Sequence, residues 1–190
     1  LTISARWRLN GVPIIFAGNF TCLFGKLLIA KKDHNPGAKS LEFQKEIEIH
    51  APKEKVWNFI WDVDQFIACV PGCKEAKTLE EGKRYSATMV EKVGPFRVEF
   101  PTTIEVLERE DLTRIKAQAS GADNKVGSRM KIGLDVHLRE QDNKTMLSFV
   151  ASVDILGKLA ALGHGIIKRK ADQVLDEFAQ SVKKRLEGDS

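Results

Sequence analysis

Residues Arg129 to Arg139 read RMKIGLDVHLR. Met130, Ile132, Leu134, Val136 and Leu138 share one parity, and Arg129, Lys131, Asp135, His137 and Arg139 share the other. A period of two sends the apolar set to one side of an extended chain and the charged set to the opposite side. A surface helix would need its apolar residues to recur at three and four. This stretch is therefore a half-buried strand.

The same period runs outward in both directions. Upstream lie Ile115, Ala117 and Ala119, then Phe96, Val98, Phe100, Ile104 and Val106, then Tyr85, Ala87, Met89 and Val93. Downstream lie Leu147, Phe149, Ala151, Val153 and Ile155. Gly94-Pro95, Glu110-Asp111, Gly121 to Asn124 and Gln141 to Lys144 supply turns between the runs, which describes an antiparallel meander with one apolar face. Lys74 to Leu79 reads as a short strand opening the meander, and Glu42 to Ile49 as a first strand ahead of it.

Two short helices are expected between them. Pro52 opens one whose apolar side is Val56, Trp57, Phe59 and Ile60, and Asp62 or Asp64 caps a second through Phe66, Ile67 and Val70. The second runs into Cys69-Val-Pro-Gly-Cys73. Pro71 pushes Val70 toward extended geometry and Gly72 invites a turn, so the favoured reading is a helix-ending corner with packed thiols. A disulfide, or metal or redox work, stays open as an alternative. The spacing lacks further ligands for zinc, and a helix C-terminus does not depress a thiol pKa.

The last element, Lys158 to Leu186, has Leu159, Leu162, Ile166, Val174, Phe178 and Val182 at helical spacing. One continuous helix over that stretch would be roughly 43 Å long, enough to cross the sheet diagonally. A seven-stranded antiparallel sheet holding one long C-terminal helix is an α+β architecture with an interior between the two.

The chain has 190 residues, 43% of them hydrophobic, which suits one domain with an appendage. Residues 1–40 hold six basic residues and one acid, leaving 24 basic and 25 acidic residues in the rest. A near-neutral body excludes nucleic acid as a partner. Three cysteines cannot form an even disulfide framework, which points to a reducing, cytoplasmic setting. The expected division is an N-terminal extension over 1–40 and one domain over 41–187. The extension has an apolar run from Gly11 to Ala30 broken by Pro13, Asn19 and Lys26, and it begins with Leu1. Three readings stand for it: a disordered or mis-assigned start, a peripheral membrane segment, or a leader or span.

The inward strand positions carry little that titrates, with Tyr85, Thr102 and the borderline Glu91 as polar exceptions. None of the four histidines falls on such a position, and no nucleophile with a neighbouring base is visible, so catalysis is not expected. The apolar face has two readings. It is core throughout, or part of it is a cavity, for which the small residues Ala87, Ala117, Ala119, Ala151, Ala160, Ala161, Gly163 and Gly165 speak. Glycine inside a helix costs about 0.8–1 kcal/mol against alanine, so Gly163 and Gly165 need a reason.

Ile49 to Trp57, Cys69 to Cys73, Val93 to Arg97, and Gly157 to Ala171 with Glu177-Phe178 together resemble the carbon monoxide dehydrogenase G-subunit (CoxG) family, within the START-like (SRPBCC) helix-grip superfamily. The resemblance covers about Leu41 to Glu187. It implies a hydrophobic cavity between sheet and helix and no cofactor of the protein's own, with a bound isoprenoid quinone or other lipid as candidate cargo. It implies service to a molybdenum hydroxylase of the carbon monoxide dehydrogenase type, through membrane recruitment or quinone delivery, at the inner face of the cytoplasmic membrane. Many members carry a C-terminal membrane-directed tail. This sequence stops at Ser190, so an anchoring role here would fall to the N-terminal segment.

Carried onto these residues, Phe96, Phe100, Met130, Leu134, Phe149, Leu159, Leu162 and Ile166 line an apolar tunnel. Gly163, His164 and Gly165 sit near its mouth, and Tyr85 or His164 hydrogen-bonds a ligand head. For His164 the alternative is an exposed helical residue, and for Lys168, Arg169 and Lys170 a solvated face. An empty-cored adaptor, and a helix-grip enzyme such as a cyclase or hydrolase, remain as alternatives to the carrier.

Overall fold

The structure is a computed structural model and describes residues 40–188. The readings made for the first 39 residues, Cys22 included, lie outside it. The described chain runs β1 (Leu41–Ile49), α1 (Lys53–Trp61), α2 (Val63–Ala68), β2 (Cys73–Glu80), β3 (Arg84–Val93), β4 (Phe96–Glu110), β5 (Arg114–Asp123), β6 (Ser128–Gln141), β7 (Lys144–Gly157), a 3-10 turn (Ala160–Leu162) and α3 (His164–Glu187). The seven strands form one antiparallel sheet in the order β1-β7-β6-β5-β4-β3-β2, as the alternating pattern predicts. Consecutive strands from β2 to β7 are neighbours, and β1 adds to the far edge through β7.

The apolar parity faces α3 and the two short helices. Ile47, Ile49, Leu147, Phe149, Val182 and Leu186 are buried together with Val56, Trp57 and Phe59 of α1. Phe66 of α2 meets Phe178 of α3 edge-on at 5.6 Å, and Phe178 meets Phe149 at 6.4 Å, an arrangement that adds roughly 0.5–1.5 kcal/mol per pair to simple burial. Asp62 caps α2 by accepting from the Gln65 backbone N–H at 3.1 Å.

Cys69-Val-Pro-Gly-Cys73 is a corner. α2 ends before it, Gly72 adopts φ +74°, and β2 begins at Cys73. Gly72 C=O accepts from Val90 N–H at 2.8 Å, which pins the corner to β3.

The continuous helix expected from Lys158 to Leu186 is corrected. Gly163, at φ +83° and ψ 157°, leaves helical space, so a 3-10 turn precedes it and an α-helix of 24 residues follows. A Cβ at Gly163 would meet nothing within 4 Å, so the backbone angle accounts for the glycine. The break also resets the phase of the stripe. Ile167, Ala179, Val182 and Leu186 are buried along α3, whereas Ile166 turns outward and is exposed.

Candidate functional site

The inner face of the sheet carries two buried clusters, with a row of half-buried residues between them. Under the C-terminal half of α3 the packing is tightest: Ile47, Leu147, Val182 and Leu186 are each at most 4% exposed. At the other end Val98, Phe100 and Leu159 form a second buried cluster, with Phe96, Met130 and Leu162 packed against it. Between the clusters runs the cross-strand row Tyr85, Ile104, Ala119, Ile132 and Val153, one residue from each of five adjacent strands. All five are half-buried although their side chains share the inner parity. Protein interiors pack without voids larger than a water molecule, so inner apolar residues that solvent still reaches mark a stretch of the face that the helices cover incompletely.

Small residues border this row. Ala87, Ala117 and Ala151 are buried, while Ala119 is accessible. A Cβ on Gly121 would lie 2.8 Å from Thr102 Oγ1 and 2.9 Å from Pro101 C=O, so β4 and β5 approach too closely there for any side chain.

Two ion pairs tie α3 to the inner face from opposite sides. Lys170 Nζ lies 2.7 Å from Glu91 Oε2 on β3, both side chains being 22% exposed. Lys45 Nζ of β1 donates to Asp176 Oδ1 at 2.5 Å. Beside the first cluster the Arg109 guanidinium lies over Trp61 at 4.4 Å and over Trp57 at 5.4 Å.

The inner face thus carries more charge than the sequence reading allowed. Lys45 stands in phase with Phe43 and Ile47, and Lys170 stands three residues after Ile167 and four before Val174, so both were detectable from periodicity. Arg109 was not, because an irregularity between Val106 and Glu108 shifts the register and sets it opposite Ile115.

The residues proposed from sequence separate into three groups. Phe96, Phe100, Met130, Leu159 and Leu162 come together in one cluster. Leu134 and Phe149 belong to the other. Gly163, His164 and Ile166 lie exposed at the start of α3. The Tyr85 hydroxyl accepts from Gly82 N–H at 3.0 Å, which directs it to the β2–β3 turn. Thr102 Oγ1 donates to Phe100 C=O at 3.0 Å and so is satisfied internally.

Cys69 and Cys73 are free, and burial raises both thiol pKa values, the opposite of what a reactive thiolate requires. Among the described residues no group of His, Cys, Asp or Glu could hold a metal ion, and no helix is long and apolar enough to cross a membrane. An open depression of about 320 Å³ crosses β2, β3 and β4, and Glu75, Lys77, Ser86, Thr88 and Thr103 give it a polar rim on the outer parity, with Ala76, Ala87, Pro101 and Thr102 completing its lining.

Comparison with curated proteins gives no match. Among solved structures, a conserved protein from Geobacillus kaustophilus superposes with a TM-score of 0.70 at 22% identity, covering 77% of this chain and 95% of that one. A START superfamily protein from Mycobacterium smegmatis gives 0.60 at 14% identity, covering 77% and 97%. The Zhui aromatase/cyclase from Streptomyces sp. R1128 gives 0.55 at 13%, covering 77% and 96%. These likenesses establish a START-like fold. A family profile matches residues 46–187, and the chain belongs to the carbon monoxide dehydrogenase G-subunit (CoxG) family.

Proposed function

We propose that the protein is a non-catalytic carrier of an apolar molecule, a quinone or another lipid, held between the sheet and α3. In this reading it serves a molybdenum hydroxylase of the carbon monoxide dehydrogenase type, by quinone delivery or membrane recruitment. The observation that carries it is the half-buried row Tyr85, Ile104, Ala119, Ile132 and Val153 between two buried clusters. An elongated apolar ligand with a polar head fits such a space: the row would take the body, and Lys170 beside Glu91 offers a donor to a carbonyl or hydroxyl. Family membership supports the partner class.

The test is organic extraction of protein purified gently from its native host, followed by mass spectrometry. A stoichiometric isoprenoid quinone or lipid supports the carrier. A clean extract that stays clean after incubation with quinone refutes it and leaves an adaptor with a filled core.

A helix-grip enzyme is the second reading, and Glu91 with Lys170 favours it as an acid and base within hydrogen-bond distance of each other, the less exposed of the two pairs on the inner face. Glu91→Gln separates the two. A carrier keeps its ligand stoichiometry within about a few-fold, whereas an enzyme working through this pair loses about 100-fold or more of its turnover.

A further inference from the structure

At the end of the sheet opposite the Val93–Phe96 hairpin, unpaired donors gather where β3, β4 and α1 meet. The irregularity between Val106 and Glu108 turns Arg109 to the inner side, and its guanidinium lies over the rings of Trp61 and Trp57 at 4.4 Å and 5.4 Å. Arg109 Nε donates to Asp111 Oδ1 at 2.6 Å, and neither Nη has a hydrogen-bond partner among the described residues. Trp61 Nε1 is the one buried side-chain nitrogen or oxygen among the described residues that lacks a partner. A buried indole N–H normally finds an acceptor, because leaving it unpaired is costly.

Tyr85 links this cluster to the half-buried row. Its side chain begins the row, and its hydroxyl accepts from Gly82 N–H at 3.0 Å, which leaves the phenol proton without an acceptor among the described residues. A Cβ on Gly82 would lie 3.8 Å from Arg109 Nη1, so the β2–β3 turn brings phenol and guanidinium to one place. The surrounding carboxylates are engaged or face water. Glu80 pairs with Lys83 at 2.7 Å, Glu108 pairs with Lys116 at 3.1 Å and Asp62 caps α2, while Asp64, Glu81, Glu105 and Glu110 are exposed.

We infer that Arg109, Trp61 and Tyr85 form a head subsite for an amphipathic carboxylic acid, whose apolar body lies along the row from Tyr85 to Val153. What the cluster leaves unpaired is donors, so its ligand is an acceptor. The guanidinium lies over the indole and the N–H points along the ring plane, so the acceptor serves two levels. The paired oxygens of a carboxylate do this, and a lone carbonyl oxygen does not. One guanidinium whose charge Asp111 already shares suits a monoanion. Asp111 is 73% exposed and holds Nε alone, which leaves the Arg109 fork available, whereas Lys170 is matched by a Glu91 as shielded as itself. Trp61 Nε1 is closed to water, so the acid reaches it as side chains part. The row crosses five adjacent strands, four spacings of about 4.8 Å or roughly 19 Å, long enough for the extended chain of laurate. The inference rests on the carrier reading for the body of the ligand, and an uncharged ester lets the two fail separately.

The experiment is titration of the delipidated full chain with ionised laurate and with methyl laurate, read by calorimetry and by the indole N–H signals in proton–nitrogen NMR. Laurate should bind about tenfold or more tighter than the ester, the size of a hydrogen bond to a charged group, and should move the Trp61 indole N–H downfield. Arg109→Gln should remove that preference and leave affinity for the ester within about twofold, and the retained ester binding shows that the variant is folded. Trp61→Phe keeps a ring beneath the guanidinium and removes the N–H, so it should weaken laurate about threefold or more and spare the ester. Equal affinity for acid and ester overturns this inference and leaves the carrier reading standing. A preference for laurate that persists in Arg109→Gln, or a Trp61 N–H signal unmoved at saturation, does the same. Binding of neither compound overturns both.

Discussion

Ala119→Leu adds three carbon atoms to the half-buried row formed by Tyr85, Ile104, Ile132 and Val153. Where space is open, each newly buried carbon is worth about 0.8 kcal/mol, so the upper bound is near 2.4 kcal/mol, and partial exposure of the row reduces it to about 1–2 kcal/mol of stabilisation. Where the interior is already filled, the same atoms force off-rotamer packing and cost about 1–3 kcal/mol. The two accounts therefore differ in sign. Ala117 provides the internal control, because it lies on the same strand, is buried, and sits between Val106 and Leu134 at the closed end. Ala117→Leu should cost about 1–3 kcal/mol. The assay is urea unfolding of both variants and the parent, taking the shift in midpoint at unchanged slope as the stability change. Ala119→Leu should also lose extractable ligand, since the leucine occupies its space. An Ala119→Leu variant destabilised as much as Ala117→Leu, with ligand unaffected, would falsify the idea of an open interior.

Asp123 should make stability pH-dependent near the hairpin end. The backbone N–H of Glu99 first, then that of Val126, hold its carboxyl below the ordinary 3.8, so its contribution is complete above that value and is lost as the pH falls through the lower folded value. Asp123→Asn should therefore lower the urea midpoint most at pH 6, with the gap from the parent closing below about pH 4; a gap constant with pH refutes the assignment. Gly72→Ala should destabilise by at least about 2 kcal/mol, the left-handed backbone costing about 1–2 kcal/mol before any clash. Its Cβ would meet Glu91 Oε1 at 2.6 Å and the Val90 carbonyl at 2.7 Å, and a thermal midpoint lowered by less than about 2 °C would show that the corner yields.

Strand order and inner parity were legible because both are set by local alternation and turn residues, and the sheet from β2 to β7 has no crossover to guess. The corner at Gly72 was legible for the same reason, since Pro71 and Gly72 restrict the backbone by themselves. What escaped depended on one residue resetting a phase. Gly163 at positive φ separates Leu159 and Leu162 from the α3 stripe, and without that break the periodicity selects Ile166 where the structure buries Ile167. The register change after Val106 hid Arg109 in the same way. Of the candidate site, the cluster of Phe96, Phe100 and Met130 could be read from parity, because cross-strand neighbours on one face follow from the turns. Its separation from Leu134 and Phe149 could not, because it depends on where α3 lies.

The break at Gly163 also explains why the interior divides. With 24 residues α3 is about 36 Å long, whereas β6 with 14 residues spans about 46 Å, so a single helix of that length leaves part of the sheet uncovered. The 3-10 turn covers the remainder independently, dropping Leu159 onto Val98 and Phe100, while α3 seals the opposite end through Val182 and Leu186. Two closures made by separate elements need not meet. The half-buried row lies where they do not, and the ion pair from Lys170 to Glu91 spans the adjoining side. A straight helix through residues 158–186, about 43 Å long, would have run one apolar stripe over more of the face than α3 does. Gly163 thus connects a backbone angle to an accessible interior, and the accessible interior is what supports a carrier.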